Sequence, residues 1–466
     1  MAGRRAALSV VVLAAGQGTR MRSKTVKLLH PVAGRPMVEH VLDAVAALEP
    51  NRVVTVVGYQ ADRVREAVGA RGGSYVLQKQ QRGTGHAVIQ AVGHIDRSRG
   101  ATLLILNGDL PTLCAKTLRS LVRRQRQGNA AMTLLSAEVR DPTGYGRIER
   151  GSRSEVVRIV EHRDATAEQK TIREINAGIY CARVDALLPA LKQLRPDNAQ
   201  GELYLTDAVH HLIDAGQRVV AIRHPDAEEL LGVNTRAELA RAWRMLCARK
   251  ADQLQAAGVT LVDPDRTRID PRARIGRDTT IHPDVTIEGA TVLGEDCVVR
   301  SGCRLTDCRI GRRVEIRDHS VLQDSTVGDG ATIGPFAHLR PGSVLGPETR
   351  IGNFVETKKT RMGRGSKANH LTYLGDAEIG PGCNIGAGTI TCNYDGRNKH
   401  PTRLGRDVFI GSNSQLVAPV AIGNGAYVAA GSTVTEDVPG GALAIGRSRQ
   451  RNVRGWVSRR KQREKT

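Results

Sequence analysis

The sequence predicts an α/β domain built on a parallel, doubly wound sheet, followed by a parallel β-helix, with one helix between them. Three observations carry this. Up to about Gly232, apolar β-branched runs alternate with amphipathic helical stretches. Thr235-x-x-Glu238 then reads as a capping box opening a helical stretch that closes near Gly258. From Ile269 onward, aliphatic residues recur every six positions.

In the first part, Val53 to Gly58, Leu103 to Asp109 and Ala130 to Val139 read as buried strands, and Met37 to Leu48 and Lys116 to Gln125 as helices. The stretch SVVVLAAGQGTRM, Ser9 to Met21, has two readings. With Arg4 and Arg5 before it, it resembles an export signal, whose apolar region spans about 7 to 15 residues. Alternatively, it is a buried strand feeding a loop in which Gly16 and Gly18 let backbone N–H groups approach an anion, with Arg20, Arg22, Lys24 and Lys27 supplying charge. Ligands of such sheets sit beyond the carboxyl ends of the strands, where Gly16 to Arg20 and Gly108 to Asp109 both fall. Taken singly, Asp109 also reads as a turn or helix cap, Asn234 as a cap of the following helix, and Glu161 as one side of an exposed ion pair beside His162 and Arg163.

In the second part the rhythm runs Ile269, Ile275, Ile281, Ile287, Leu293, Val299 and Leu305. After one-residue slips it resumes at Ile310 and again at Val327, and it returns at Ile379 and Ile410. Neither the 3.6-residue helix nor the two-residue strand keeps a six-residue repeat on one face. A coil of three six-residue strands does, with aliphatics stacked inside and glycines at corners. Two polar segments interrupt it, ETKKTRMGRGSKANHLTYLGD before Ile379 and GTITCNYDGRNKHPTRLGRD before Ile410, and both read as excursions on a binding face. His370, taken alone, reads as a surface residue or as a base in such an excursion, beside Lys367 and Tyr373.

The formal charge of +22 points to anionic partners: nucleic acid, acidic membrane or phosphorylated small molecules. Aromatic residues are only 3%, so a base-stacking platform is not expected, and no nucleic acid partner is assigned. No apolar run reaches the roughly 20 residues of a spanning helix, so no membrane insertion is expected. The eight cysteines lack paired spacing and read as reduced, mostly buried thiols of a cytoplasmic protein. The last stretch, RSRQRNVRGWVSRRKQREKT, reads as a solvated, partly disordered basic tail.

LAAGQGTRM, QKQQRGTGHA, NGDLP, DPTGYGRI, VEHRDA, EINAGIY, GVN, the hexapeptide repeat, HLTYLGDAEIG and NIGAGTITCNYDG follow one another in this order. Together they resemble the bacterial family of bifunctional N-acetylglucosamine-1-phosphate uridyltransferases/glucosamine-1-phosphate acetyltransferases, over nearly the whole chain apart from the tail. The resemblance implies a Rossmann-like nucleotidyltransferase domain over residues 1–234, a linker helix over 235–259, a left-handed β-helix over 260–446 and the basic tail over 447–466. It further implies a cytoplasmic homotrimer that uses Mg²⁺, UTP, acetyl-CoA, glucosamine 1-phosphate and N-acetylglucosamine 1-phosphate. It favours the strand-and-loop reading of Ser9 to Met21, because cleavage there would remove the nucleotide loop.

Residue by residue, the resemblance places Leu13, Ala14, Ala15, Gly16, Gln78, Gly83, Thr84, Asn107 and Gly108 on the nucleotide, with Arg20 and Lys27 at its phosphates. Asp109 and Asn234 match Mg²⁺ ligands, and Gly146, Glu161 and Asn176 match sugar-phosphate positions. In the second half, Arg340, Lys358, Tyr373 and Asn384 fall on glucosamine 1-phosphate, His370 on the general base, and Ala387, Asn393, Tyr394, Ser412, Ala430 and Arg447 on acetyl-CoA. Glu356 is a candidate to orient His370. The chain departs from the family pattern at Val26, where proline is usual, at Asn107, at Leu203, where tyrosine is usual, and at His400 and Pro401. These raise questions about the phosphate loop, sugar packing and the acyl-donor loop.

Overall fold

The computed structural model describes residues 6–464. The chain divides into two compact units between Leu246 and Cys247, inside the helix Arg236–Ala256.

The first unit is built on a sheet in the order Val219–Arg223, Met132–Glu138, Glu174–Arg183, Thr102–Asn107, Leu8–Ala14, Arg52–Val57, Ser74–Leu77. Leu8–Ala14 pairs in parallel on both sides, and Val10, Val11 and Val12 are fully buried, as expected of a strand covered on both faces. The all-parallel expectation fails at Glu174–Arg183, which runs antiparallel to both neighbours. The chain leaves Met132–Glu138 through a hairpin, Arg147–Arg150 with Val156–Val160, not through a crossover helix, so it returns in the opposite direction. The returning strand bulges between Asn176 and Tyr180, which lets Asn176 turn its side chain out of the regular ladder. Two residues earlier, buried Glu174 accepts hydrogen bonds from Ser136 at 2.5 Å, Arg150 at 2.6 Å and Arg223 at 3.0 Å, tying the hairpin and the edge strand to the bulged strand. Burial would raise this carboxyl, but those donors prevail and hold it at about 2.

The second unit is a parallel β-helix. Backbone pairing recurs once per coil: Thr280 pairs with Val298, and Val298 with Glu315, the second step being one residue shorter than the first. Ile281, Val299, Ile316, Ile333 and Ile351 lie one above the other in this register and are all buried. The paired segments are mostly two or three residues long, so the rest of each six-residue repeat forms the corners and not six-residue strands.

The first polar segment is not an excursion. Arg350–Lys358 and Lys367–Gly375 are nine-residue strands paired in parallel, and Met362, Ala368 and Leu374 fill inward positions that the aliphatic rhythm leaves vacant. Polar residues around a small inward alanine conceal a continuous coil. The second segment is a true excursion: Asn384, one coil after Lys367, next pairs with Phe409 after a much longer stretch of chain, and Tyr394 and Lys399 bridge in antiparallel fashion within it. At the carboxyl end, the tail contains the exposed helix Trp456–Arg463.

One corner of the coil is a column of glycines. A Cβ at Gly363 would stand 2.5 Å from the Pro381 nitrogen and 2.7 Å from the Gly380 carbonyl carbon of the next coil. Gly363→Ala is expected to destabilise the second unit by about 1–3 kcal/mol, the usual cost of overpacking, measured as a shift in its denaturant midpoint at unchanged slope.

Candidate active sites

In the first unit two adjoining cavities lie at the carboxyl ends of the parallel strands. One, of about 270 Å³, is lined by Leu13, Ala14, Ala15, Gly16, Lys27, Gln78, Gly83, Thr84, Asn107 and Asp109. The other, of about 200 Å³, shares Leu13, Thr84, Asn107 and Asp109 and adds Gly146, Glu161, Asn176 and Asn234. Gly108 sits behind the junction, donating its N–H to the Leu13 carbonyl at 2.9 Å and so fixing the turn that presents Asp109.

The polar groups at the junction converge. Lys27 Nζ donates to Asp109 Oδ2 at 2.5 Å and to Asn234 Oδ1 at 3.0 Å, and Arg20 donates to the same Asn234 oxygen at 2.8 Å. Asp109 is therefore not a cap, and neither is Asn234. The helix cap is Thr235, whose hydroxyl accepts from the Glu238 N–H at 3.2 Å, while the Glu238 carboxylate accepts from the backbone of Asn234 at 2.6 Å and of Thr235 at 2.7 Å. The capping box thus holds the Asn234 backbone and leaves its amide oxygen facing the cationic groups. Because Asp109 Oδ2 and Asn234 Oδ1 both reach one ammonium nitrogen, their lone pairs meet at a single point. A carboxylate and an amide oxygen arranged this way fit a hard divalent cation that keeps water or phosphate oxygens as its other ligands.

Glu161 does not form an exposed ion pair. Burial raises its carboxyl above the ordinary range, and the Thr206 hydroxyl donates to it at 3.2 Å. Asn176 donates to the Tyr180 hydroxyl at 2.6 Å, an amide fixed by the bulge. Tyr145, on the same wall, is pushed up to about 12 by burial and by the nearby charges of Glu238 and Asp109. Gln78 donates to the Gly83 carbonyl at 3.0 Å, joining two predicted nucleotide positions.

The departures in this half sit as follows. Val26 holds φ −53 and ψ 136, a conformation open to proline, so the phosphate loop keeps its path. Asn107 lies against Gly178, where a Cβ would come within 2.6 Å of its amide nitrogen. Leu203 lines neither cavity. Its side chain packs on the apolar core, and its backbone carbonyl accepts from the Gly85 N–H at 2.8 Å.

In the second unit, register makes the site. Arg350–Lys358 and Lys367–Gly375 place Asn353 beside His370 and Glu356 beside Tyr373. His370 Nδ1 lies 3.0 Å from Asn353 Oδ1; an amide oxygen only accepts, so this contact selects the neutral tautomer with its proton on Nδ1 and the lone pair on Nε2. Glu356 does not orient His370; it accepts from Arg340 at 2.7 Å, the nearest guanidinium on the preceding coil. Lys358 lies where Lys399 and Arg340 both push its ammonium below the usual lysine range. Asn384 stands next to Lys367 on the following coil. Asn393 donates to Asp376 at 2.5 Å, and Tyr394 donates to the Gly396 carbonyl at 2.7 Å within the excursion. His400 pairs with Asp395 at 2.7 Å, bracing the same loop. Ala387, Ser412 and Ala430 follow the corners of successive coils: Ala387 O accepts from the Asn413 N–H at 2.6 Å, and Ser412 O from the Gly431 N–H at 2.8 Å. Arg447 is exposed beyond the last coil. The structure thus groups Arg340, Glu356, Lys358 and Tyr373, sets His370 with Asn353, and spaces the predicted acetyl-CoA positions along the loop and corner.

Residues 9–244 match the family described as Nucleotidyl transferase, residues 264–367 match the GMPPB C-terminal domain, and residues 401–436 match Bacterial transferase hexapeptide (six repeats). The chain is 50% identical to the bifunctional protein GlmU of Geobacillus thermodenitrificans, covering 98% of this chain and 99% of that one. It is also 50% identical to the bifunctional protein GlmU of Pelobacter propionicus, over 97% and 99% of the two chains. The chain belongs to the GlmU family. It is a bifunctional transferase that makes UDP-N-acetylglucosamine, with a nucleotidyltransferase half and a hexapeptide acetyltransferase half.

Sequence reading overlooked Asn353, Thr206, Tyr145 and Lys399, which lie against the candidate residues His370, Glu161, Asp109 and Lys358. The signal for Asn353 was its place one coil before His370, at the same step that relates Ile351 to Ala368. Nothing local in the sequence marks Thr206 as a partner of Glu161.

Proposed function

We propose that residues 260–446 acetylate glucosamine 1-phosphate and residues 1–234 then join the product to UMP, with 235–259 as linker and 447–466 as an appended tail. In the acetyl transfer, His370 Nε2 takes a proton from the amine as its nitrogen attacks the thioester carbonyl. The N–C bond forms, the C–S bond breaks, and the departing sulfur takes that proton back from Nε2, so that the coenzyme leaves as its thiol. Asn353 holds the imidazole in the tautomer this requires. Arg340 and Lys358 bind the sugar phosphate as a fork and a point charge, joined by Tyr373 and Asn384. The mutual repulsion of Lys358, Lys399 and Arg340 is relieved when a phosphate dianion enters, which favours that ligand. Asn393, Tyr394, Ala387, Ser412, Ala430 and Arg447 receive acetyl-CoA.

In the uridylyl transfer, a phosphate oxygen of N-acetylglucosamine 1-phosphate attacks the α-phosphorus of UTP and pyrophosphate departs. Leu13 to Gly16, Gln78, Gly83, Thr84, Asn107 and Gly108 seat the nucleotide; Gly146, Glu161 and Asn176 seat the sugar; Arg20 and Lys27 neutralise phosphate charge. Asp109 and Asn234 hold Mg²⁺, which when bound supplies further charge neutralisation at the phosphates. The observation that carries this reading is the coil register that leaves Nε2 of His370 free on the same pair of strands as Lys358 and Tyr373.

Acting on soluble substrates, the enzyme works in the cytoplasm; no helix of the described residues is long and apolar enough to cross a membrane. Assembly as a homotrimer is supported by an apolar ladder next to His370. The rings of His319 and Phe336 stack at 5.2 Å and those of Phe336 and Phe354 at 5.5 Å, and Phe354 and Leu371 are 56% and 62% exposed. Covering this ladder with a second chain brings that chain up to the base.

With acetyl-CoA, glucosamine 1-phosphate, UTP and Mg²⁺ supplied together, the native chain is expected to release thiol and pyrophosphate. His370→Ala cuts thiol release at least a hundredfold yet restores pyrophosphate release when given N-acetylglucosamine 1-phosphate, and Asp109→Asn does the reverse. No pyrophosphate from His370→Ala even with N-acetylglucosamine 1-phosphate supplied, or no thiol from Asp109→Asn, with the fold intact by circular dichroism, contradicts the assignment. Phe354→Glu is expected to convert a trimer into a monomer in sedimentation equilibrium and to depress thiol release alone; an unchanged mass rules out the ladder as the contact.

A further inference from the structure

A further cleft of the first unit, about 830 Å³, lies at the opposite end of the sheet from the reaction cavities, around Leu8 at the start of the central strand. Seven residues of extended chain, roughly 20 Å, separate Leu8 from Ala14 at the reaction end. One wall is the helix Ala115–Gln127, whose Lys116, Arg119, Arg123 and Arg126 fall at three- and four-residue spacing on one face. Two of these are fixed: Arg119 donates to the Ala47 carbonyl at 2.9 Å and Arg126 to the Ala6 carbonyl at 2.6 Å. A guanidinium held by a neutral carbonyl keeps its full charge and its remaining donors. The side chains of Lys116 and Arg123 make no ion pair or hydrogen bond among the described residues, and Glu49 is the lone carboxylate among the described residues of the lining. The floor is apolar, formed by Leu8, Leu48 and Val122.

We propose that this cleft is a second anion site, taking a free phosphorylated metabolite with two or more negative charges and a small apolar body. Four cations against one carboxylate leave a net charge of about three to be neutralised, and two prepositioned guanidinium groups suit the oxygens of a phosphate. The lining contains no aromatic ring on which a base would stack, and the space is a bounded cleft, so a small molecule fits it better than a nucleic acid strand. The site uses none of the residues assigned to the two reactions and stands apart from that reading.

The test is equilibrium dialysis of radiolabelled tripolyphosphate against the full-length chain in low salt, counting equivalents bound. Tripolyphosphate also enters the reaction sites, so the readout is the difference between variants. Lys116→Ala with Arg123→Ala, and separately Ser120→Glu, which sets a carboxylate on the cleft lining, are each expected to remove one equivalent per chain or weaken it at least tenfold. Arg124→Ala, on the same helix but outside the cleft, is expected to leave binding as in the native chain. Unchanged binding in the first two variants overturns the proposal, as does an equal loss in Arg124→Ala, which would mark the effect as net charge alone.

Discussion

The backbone pairing between successive coils is the constraint on which the second unit depends. Each coil offers its N–H and C=O groups to the next at a nearly constant step along the chain, and buried backbone groups that lose such partners cost free energy comparable to the lost bonds. Inward aliphatics and corner glycines allow that pairing to continue through the one-residue shortenings of the step. A side chain's place on the outer surface is consequently set by counting residues, and His370, Tyr373 and Lys358 occupy fixed places on neighbouring strands before any ligand arrives. Rigid elements of this kind are where reactive groups are held most accurately.

The first unit meets the same need by other means. Its central strand and that strand's parallel neighbour end together, so the turn after Asn107 faces the glycine loop after Ala15. Chemistry is then assembled by long-range closure: Lys27, Asp109 and Asn234 lie far apart in sequence and converge because the capping box at Thr235 anchors the start of a helix beside the strand ends. A strongly basic chain thus directs part of its charge into sites where phosphates are handled. Some of the remaining charge is compensated locally, as in the exposed pair of Arg266 with Asp284, which contributes little to stability.

The sequence was readable where periodicity is long or where a motif has a local cause. The six-residue rhythm identified the β-helix because no other period keeps those aliphatics inside, and the capping box identified the helix start within one residue. The reading failed where structure depends on distant pairing. The direction of Glu174–Arg183 follows from a hairpin whose strands are only four and five residues long, and nothing local distinguishes it from a crossover. The polar run around His370 looked like an excursion because small and thioether side chains, Ala368 and Met362, replace branched aliphatics inside. Glu356 looked like the partner of His370 by proximity of charge; the register gave that place to Asn353 and paired Glu356 with Arg340. Most candidate residues of the first unit were legible from short motifs, whereas Thr206 joins Glu161 only through the packing of its helix against the hairpin.

Coil register, through Asn353, fixes which nitrogen of His370 is free to accept a proton. Nitrogen-15 NMR of the imidazole in the full-length chain, at a pH where the ring is neutral, reads this directly. A protonated Nδ1 and a pyridine-like Nε2 are expected in the native chain, with the two nitrogens approaching averaged shifts in Asn353→Ala. A native spectrum showing the proton on Nε2, or averaged shifts already in the native chain, would contradict that role of Asn353.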